Sequence, residues 1–291
     1  MTTHENPTTA GMAGQFLLGG DLAVNRIGLG AMRLALGGRV RHAEEGVAVL
    51  RRAVELGVNH IDTAGFYGFG ALQAHEMIRQ ALYPYPDDLV IATKVGPLLE
   101  GGVVPTGQAT PEQLRGLVEE DLRRLGRDHL DLVYLRVGGM GEPGGESVGE
   151  RFAALAELRR EGLIRHLGLS NVDAIQLAEA QSVAPVVAVQ NHFNVNHRAG
   201  SDVLALCEKE GIGFVPFFPL GGGRQPLDQA PLATVAARHQ ATPTQVALAW
   251  LLAISPATLA IPGTSSLDHL VENIAAAGLR LTAEDLAELA G

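Results

Sequence analysis

Short apolar runs alternate with amphipathic stretches along almost the whole chain. Eight of the runs read as strands: 26–30, 58–62, 89–94, 130–136, 164–170, 186–190, 213–216 and 258–261. Several are near-continuous β-branched or leucine runs, the pattern of parallel strands covered on both faces. Helical spacing fills the gaps at 43–56, 71–82, 111–125, 148–161, 173–180, 202–210, 232–239 with 242–254, and 266–276. Thr110 ahead of Pro111 and Glu112 predicts an N-cap followed by proline in the first turn. Thr282 to Asp285 predicts a cap before a last short helix. Gly57, Gly126, Gly162 and Gly211 each stand just past a helical pattern, where a left-handed residue ends the helix. Eight strand–helix units predict an α/β protein, a single (β/α)8 TIM barrel, with a doubly wound sheet as the alternative.

The first segment has a different rhythm. Residues 15–18 and 22–24, joined by Gly19-Gly20-Asp21, predict a β-hairpin that plugs the bottom of the barrel. Residues 1–14 predict a flexible leader, so the barrel domain is expected over 15–291. The leader has neither a basic start nor an apolar stretch and does not resemble a signal peptide. Glycine-rich loops are expected at 138–149, after strand four, and at 221–228, after strand seven.

Composition narrows the function classes. Of 291 residues, 46% are hydrophobic and 19% charged, enough for a large buried core. The net charge of −10 argues against non-specific binding to nucleic acid or anionic membrane. The longest apolar run, 246–254, is too short to span a bilayer. Cys207 is the only cysteine, so neither an internal disulfide nor a CxxC zinc site can form. No histidine spacing suits a metal, and none is expected. These features predict a cytoplasmic protein without nucleic-acid or membrane partners. Oligomeric state is not legible.

A TIM barrel carries its active site at the C-terminal ends of its strands. Those ends hold Met32, Asp62, Lys94, Arg136, Ser170-Asn171, Gln190-Asn191, Phe217-Phe218 and Pro262-Gly263-Thr264. Only Lys94 and Lys209 of the 22 basic residues are lysines. Lys209 sits in a polar helix, whereas Lys94 follows an apolar run and should emerge inside the barrel mouth. Tyr67 lies in Asp62-Thr-Ala-Gly-Phe-Tyr-Gly, where small residues let the loop fold over the strand end. An ammonium beside it, itself paired to a carboxylate, is expected to lower the phenol pKa and make a proton donor. His60 is expected to face the helix layer, His192 and His197, after strand six, the mouth or the surface, and Trp250 the core.

The segments Asn59-His-Ile-Asp-Thr-Ala-Gly-Phe-Tyr-Gly, Ala92-Thr-Lys-Val-Gly, Asp128-His-Leu-Asp-Leu-Val-Tyr-Leu-Arg, Ile164-Arg-His-Leu-Gly-Leu-Ser-Asn, Val189-Gln-Asn, Pro216-Phe-Phe-Pro-Leu-Gly-Gly and Ile261-Pro-Gly-Thr-Ser with Glu272-Asn273 together resemble the aldo-keto reductases. The resemblance implies a barrel oxidoreductase that reduces a small-molecule aldehyde or ketone with NADPH, NADH being the weaker expectation. It implies Tyr67 as general acid, tuned by Asp62 and Lys94. Ser170, Asn171 and Gln190 would hold the nicotinamide carboxamide, and Phe217 would stack on its ring. Gly30, Ala31, Met32 and Asp62, then Phe218, Pro219, Leu220, Gly221 and Gly222, would line the cofactor. Ile261, Gly263, Thr264, Ser265, His269, Glu272 and Asn273 would take its adenosine and 2′-phosphate end, at a helix N-terminus suited to phosphate.

Three positions depart from the usual pattern. Arg136 stands where the family usually has histidine. Gly263 and His269 stand where many members carry lysine and arginine against the 2′-phosphate. With Tyr83-Pro-Tyr-Pro-Asp-Asp, Arg136 resembles the pyridoxal-reducing branch, and its guanidinium could meet a phenolate oxygen of the substrate. Arg136 could instead turn away to pair with Glu142 or Glu146. Competing readings are a ketoreductase on a natural-product intermediate, a non-catalytic nucleotide-binding subunit, and a Schiff-base lyase using Lys94.

Overall fold

The computed structural model describes residues 8–37, 42–99, 105–139, 141–223 and 229–290. Seven parallel strands pair in chain order: β1 (Leu29–Gly30), β2 (His60–Asp62), β3 (Val90–Val95), β4 (Leu130–Arg136), β5 (Ile164–Ser170), β6 (Ala188–Gln190) and β7 (Gly213–Phe214). The eighth expected strand, β8 (residues 258–260), closes the ring through two isolated bridges. Thr258 bridges to Phe214 of β7, and Ala260 bridges to Ile27 just before β1. Backbone bonds Leu259 N to Phe214 O and Gly28 N to Ala260 O, both 2.8 Å, carry the closure. The fold is the expected (β/α)8 barrel.

The helices follow the strands: α1 (Ala43–Glu55), α2 (Ala74–Leu82), α3 (Pro111–Leu125), α4 (Gly149–Arg160), α5 (Ala174–Gln181), α6 (Ser201–Glu210), α7 (Gln229–His239), α8 (Pro243–Ile254), α9 (Leu267–Ala275) and α10 (Ala283–Ala290). Thr110 forms a capping box with Gln113 at the start of α3, and Gly126 ends that helix at φ 66°. Only a residue without a Cβ takes that conformation freely. Thr282 and Asp285 exchange cap bonds at the start of α10, as the spacing predicts. Three small features were not expected: a single helical turn Met32–Ala35, a hairpin pairing Gly68–Phe69 with Leu72–Gln73, and another pairing Pro97–Leu98 with Gly107–Gln108. The first hairpin leaves α2 starting at Ala74 rather than residue 71.

Strand alternation divides the core into two layers. Ile91, Val133, Leu135, Leu167 and Val189 face the helices. Val90, Ala92, Leu132, Tyr134, Ala188, Val215, Leu259 and Ile261 fill the barrel. The hairpin of Gln15–Leu18 with Leu22–Asn25 adds Leu18, Leu22 and Val24 to this inner layer and stoppers the bottom. Asp21 at its tip accepts from Arg165 and His166 of β5. The expected leader differs in its second half. Ala10–Ala13 forms a 3-10 turn with Ala10 fully buried, tied by Ala10 N to Leu56 O at 2.9 Å. Residues 1–7 lie outside the described residues.

Candidate active site

The same alternation carries side chains up to the mouth. On β3, Val90 and Ala92 point inward, so Lys94 does too; on β4, Leu132 and Tyr134 are followed by Arg136. Register sets Lys94 beside Tyr134, Arg136 beside Ser170, and Ser170 beside Gln190. A ring of polar groups therefore caps a greasy interior. His60 has the parity of Asp62, so it faces the barrel interior rather than the helix layer as expected. It is fully buried, and burial pushes it down to about 4, keeping the imidazole neutral.

Asp62 and Lys94 form a buried pair. Lys94 Nζ donates to Asp62 Oδ1 at 2.6 Å and to Thr63 O at 2.9 Å. Gln190 Nε2 donates to the other carboxylate oxygen, Oδ2, at 2.7 Å. Burial works against the Lys94 charge, but the Asp62 carboxylate and Tyr67 outweigh it and hold the ammonium above its usual value. Tyr67 is folded over this pair by the turn after β2, closed by Tyr67 N to Ala64 O at 3.0 Å. Lys94 Nζ lies 4.9 Å from its ring centre. The Tyr67 phenol is raised, not lowered as expected. Burial is the largest effect and outweighs the pull of Lys94, which acts in the expected direction.

Arg136 does not turn out to Glu142 or Glu146. Its Nη1 donates to Ser170 Oγ at 3.2 Å, its Nη2 donates to Gly139 O, and its guanidinium lies 4.9 Å over the Phe217 ring. Glu146 pairs with Arg151 instead. Burial lowers Arg136 to about 10, which leaves it charged at neutral pH. On Phe217 a second ring stacks at 5.5 Å, that of His192, which is itself stacked on His197 at 3.9 Å. These histidines, expected after strand six near the cofactor face or at the surface, are partly buried beside the site. Trp250 is core as expected, stacked on Phe193.

The neutral polar residues present a matched set. Asn171, at φ 64°, spends its Nδ2 hydrogens on Val137 O and Gly141 O, leaving its carbonyl oxygen as acceptor. Gln190 gives its amide nitrogen to Asp62 and likewise leaves a carbonyl oxygen. Ser170 Oγ accepts from Arg136 and keeps its own O–H to donate. Two acceptors and one donor fit a primary carboxamide, which offers two N–H and one C=O.

At the other end, Gly30 and Gly263 meet closely. A Cβ at Gly30 would lie 2.8 Å from Ile261 O, and one at Gly263 would lie 2.9 Å from Gly30 O. The Gly263 Cβ would also press on Arg33 Cγ at 3.3 Å. Arg33 donates to Gly37 O at 2.7 Å and to Gly222 O, so its aliphatic stem occupies the space a residue-263 side chain would need and its guanidinium is held on backbone carbonyls nearby. Arg33 was not among the expected residues. The signal was its place directly after Gly30-Ala31-Met32. Ala31 is buried with its N–H on Asp62 O at 2.8 Å; Met32 opens the one-turn helix. Gly221 N donates to Phe218 O, Pro219 is buried, and Leu220 leans on the core. Thr264 accepts from Ser266 N, and Ser266 caps α9 by accepting from His269 N. Glu272 accepts from Thr242 Oγ1 at 2.6 Å, and Asn273 is buried one residue further along α9. Ser265 completes this segment and is partly buried.

Residues 26–291 match the Aldo/keto reductase family, and the chain belongs to it. It is therefore an oxidoreductase acting on carbonyl groups. It is 47% identical over 278 residues to pyridoxine 4-dehydrogenase of Escherichia coli, covering 94% of this chain and 96% of the relative. It is 39% identical to an uncharacterized oxidoreductase of Schizosaccharomyces pombe, over 99% and 92% of the two chains. Among solved structures, an aldo-keto reductase from Klebsiella pneumoniae in complex with NADPH superposes with TM-score 0.79 at 29% identity, covering 94% and 93%. Among the described residues, no helix is long and apolar enough to cross a membrane.

Proposed function

We propose that the protein reduces an aldehyde or ketone to the alcohol with NADPH, and that pyridoxal, converted to pyridoxine, is its substrate. The observation that carries the reading is the buried chain of contacts from Gln190 through Asp62 and Lys94 to the phenol of Tyr67. The 47% identity to pyridoxine 4-dehydrogenase and the NADPH-bound neighbour support it.

Bound NADPH supplies the hydride. The hydroxyl of Ser170 and the carbonyl oxygens of Asn171 and Gln190 would hold its carboxamide, with Phe217 beside its ring. Tyr67 gives its proton to the carbonyl oxygen as negative charge develops there. Burial keeps the phenol protonated at rest, and the fixed Lys94 ammonium steadies the phenolate left behind. Arg136 adds a charged donor at the same oxygen or at a neighbouring phenolate of the substrate. Tyr67 regains its proton from water as the alcohol leaves. Arg33, beside Gly263, supplies positive charge at the phosphate end, with the N-terminus of α9.

Steady-state oxidation of NADPH with pyridoxal, beside NADH and a panel of simple aldehydes and ketones, tests the reading. Fast NADPH-specific turnover, lost in Tyr67→Phe and reduced in Arg136→Ala, is expected. Turnover of other carbonyls only would remove pyridoxal. NADPH binding without turnover of any carbonyl would return the scaffold to a binding role.

A further inference from the structure

Behind the Tyr67 turn, on the outer face of β3, a second polar group is sealed between the sheet and helices α2 and α3. Thr93, the outward-facing neighbour of Lys94, donates to Asp121 Oδ2 at 2.7 Å and lies 3.3 Å from His75 Nε2. His75 Nδ1 lies 3.4 Å from Asp121 Oδ1. The three residues are at most 3% exposed; Thr93 bonds to both partners, while His75 Nδ1 stands without a hydrogen bond, facing Asp121 Oδ1 across a gap that closes the ring.

Three contacts need three protons. Thr93 brings one; the other two come either from a charged His75 beside an Asp121 carboxylate or from a neutral His75 beside an Asp121 acid. Burial, the largest effect on both groups, favours the neutral pair: it raises Asp121 to about 7 and lowers His75 to about 3. Arg124 and Glu120 face the ring from α3, Glu76 from α2 and Lys94 from β3. With His75 neutral, a carboxylic acid at Asp121 can donate across the gap to Nδ1 and close the ring, and an ionised Asp121 cannot.

The ring touches the Tyr67 turn at Gly65. A Cβ on Gly65 would overlap Asp121 Oδ1, so the carboxyl lies flush against the backbone there. Arg124 Nη1 donates to Gly65 O at 2.8 Å. On the opposite side of the same turn, Lys94 holds Thr63 O. The turn is gripped from inside by the Asp62–Lys94 pair and from outside by the ring.

We infer that Asp121, closed into a ring with His75 and Thr93, is a positioning residue for Tyr67: it sets the height of the 63–67 turn and so the place of the phenol. The inference rests on Tyr67 being the acid. Asp121→Asn is the telling variant, because an amide can accept from Thr93 and donate to His75 Nδ1, completing the ring without a titrating group. Asp121→Ala and Thr93→Val break it.

The experiment measures kcat, KM and the NADPH dissociation constant for the three variants at about pH 6 and about pH 8. It also records the 13Cζ resonance of Tyr67 in tyrosine-labelled protein, assigned with Tyr67→Phe. Asp121→Ala and Thr93→Val should lower kcat about tenfold or more, leave NADPH affinity within about twofold and move the Tyr67 resonance. Asp121→Asn should keep both near wild type and, unlike wild type, lose no kcat between the lower and higher pH. If the ring-breaking variants keep kcat and the Tyr67 resonance, the inference is overturned. If Asp121→Asn behaves as Asp121→Ala, the ring is not what positions the turn, and the inference fails as well. Should wild type turn over no carbonyl, the acid reading falls while the resonance still decides whether the ring places Tyr67.

Discussion

Lys94→Met tests the buried pair at the centre of the site. The N–O distance of 2.6 Å gives an attraction of about 6 kcal/mol at an effective dielectric of 20. Much of that offsets the desolvation of two ions that are 3% and 5% exposed. The substitution removes the ammonium yet leaves the Asp62 carboxylate buried, bonded only through Gln190. An uncompensated buried charge costs about 3–5 kcal/mol, so the single variant should lose stability in that range. The double variant Asp62→Leu/Lys94→Met removes both charges and should be more stable than Lys94→Met by about 3–5 kcal/mol, the cost of the stranded charge. Urea unfolding followed through Trp250, the only tryptophan, reads all of them. A single variant within about 1 kcal/mol of wild type, or a double variant that loses the sum of the two single losses, would refute the reasoning.

Gly168→Ala adds a Cβ 2.6 Å from the Tyr134 ring and 2.8 Å from Ala188 O; thermal unfolding should show a loss of about 1–3 kcal/mol, and an unchanged midpoint would mean the inner layer has slack. Arg33→Ala frees Gly222 O and empties the space beside Gly263; NADPH affinity, by fluorescence titration, should fall more than NADH affinity, and an equal fall would place Arg33 away from the 2′-phosphate. Asp285, fully buried under Arg238, His239 and the Thr282 cap, is held below its usual pKa, its partners overcoming burial. Its contribution is therefore present above pH 3.8 and is lost as pH falls through the depressed folded value. Acid-unfolding curves of wild type and Asp285→Asn should converge at low pH and separate above it; parallel curves would deny the linkage.

The barrel and most of its mouth were readable because a period of two fixes which strand residues face inward. Lys94 and Arg136 follow from it once the strands are found. The same rule, applied consistently, gives His60 an inward place; the error lay in treating it apart from Asp62. Strand ends were less legible. β8 has the composition of a strand but pairs only at single residues, since it is squeezed between the end of α8 and the close approach of Gly30 to Gly263. The Tyr67 phenol was misjudged because charge is visible in a sequence and burial is not. The ring of His75, Thr93 and Asp121 joins three elements through contacts 18 and 28 residues apart, with no shared motif. Arg33 carries no sequence signal of its own beyond its place after Gly30-Ala31-Met32, since its role depends on the fold bringing Gly222 and Gly263 to it.

A sheet rolled into a tube is as strong as its last stitch. Here that stitch is β8, sewn to one neighbour at Thr258 and to the other at Ala260, with Arg26 tacking its start to Thr258 O, Leu252 O and Ser255 O. The thread runs straight on into Gly263 and α9, the end of the site proposed to take the nucleotide phosphates. A ligand gripping that stretch therefore fastens the seam as well. Opening of the tube and release of the nucleotide become one linked event, so the amides along 258–263 should be the ones whose exchange with solvent slows most when NADPH is added.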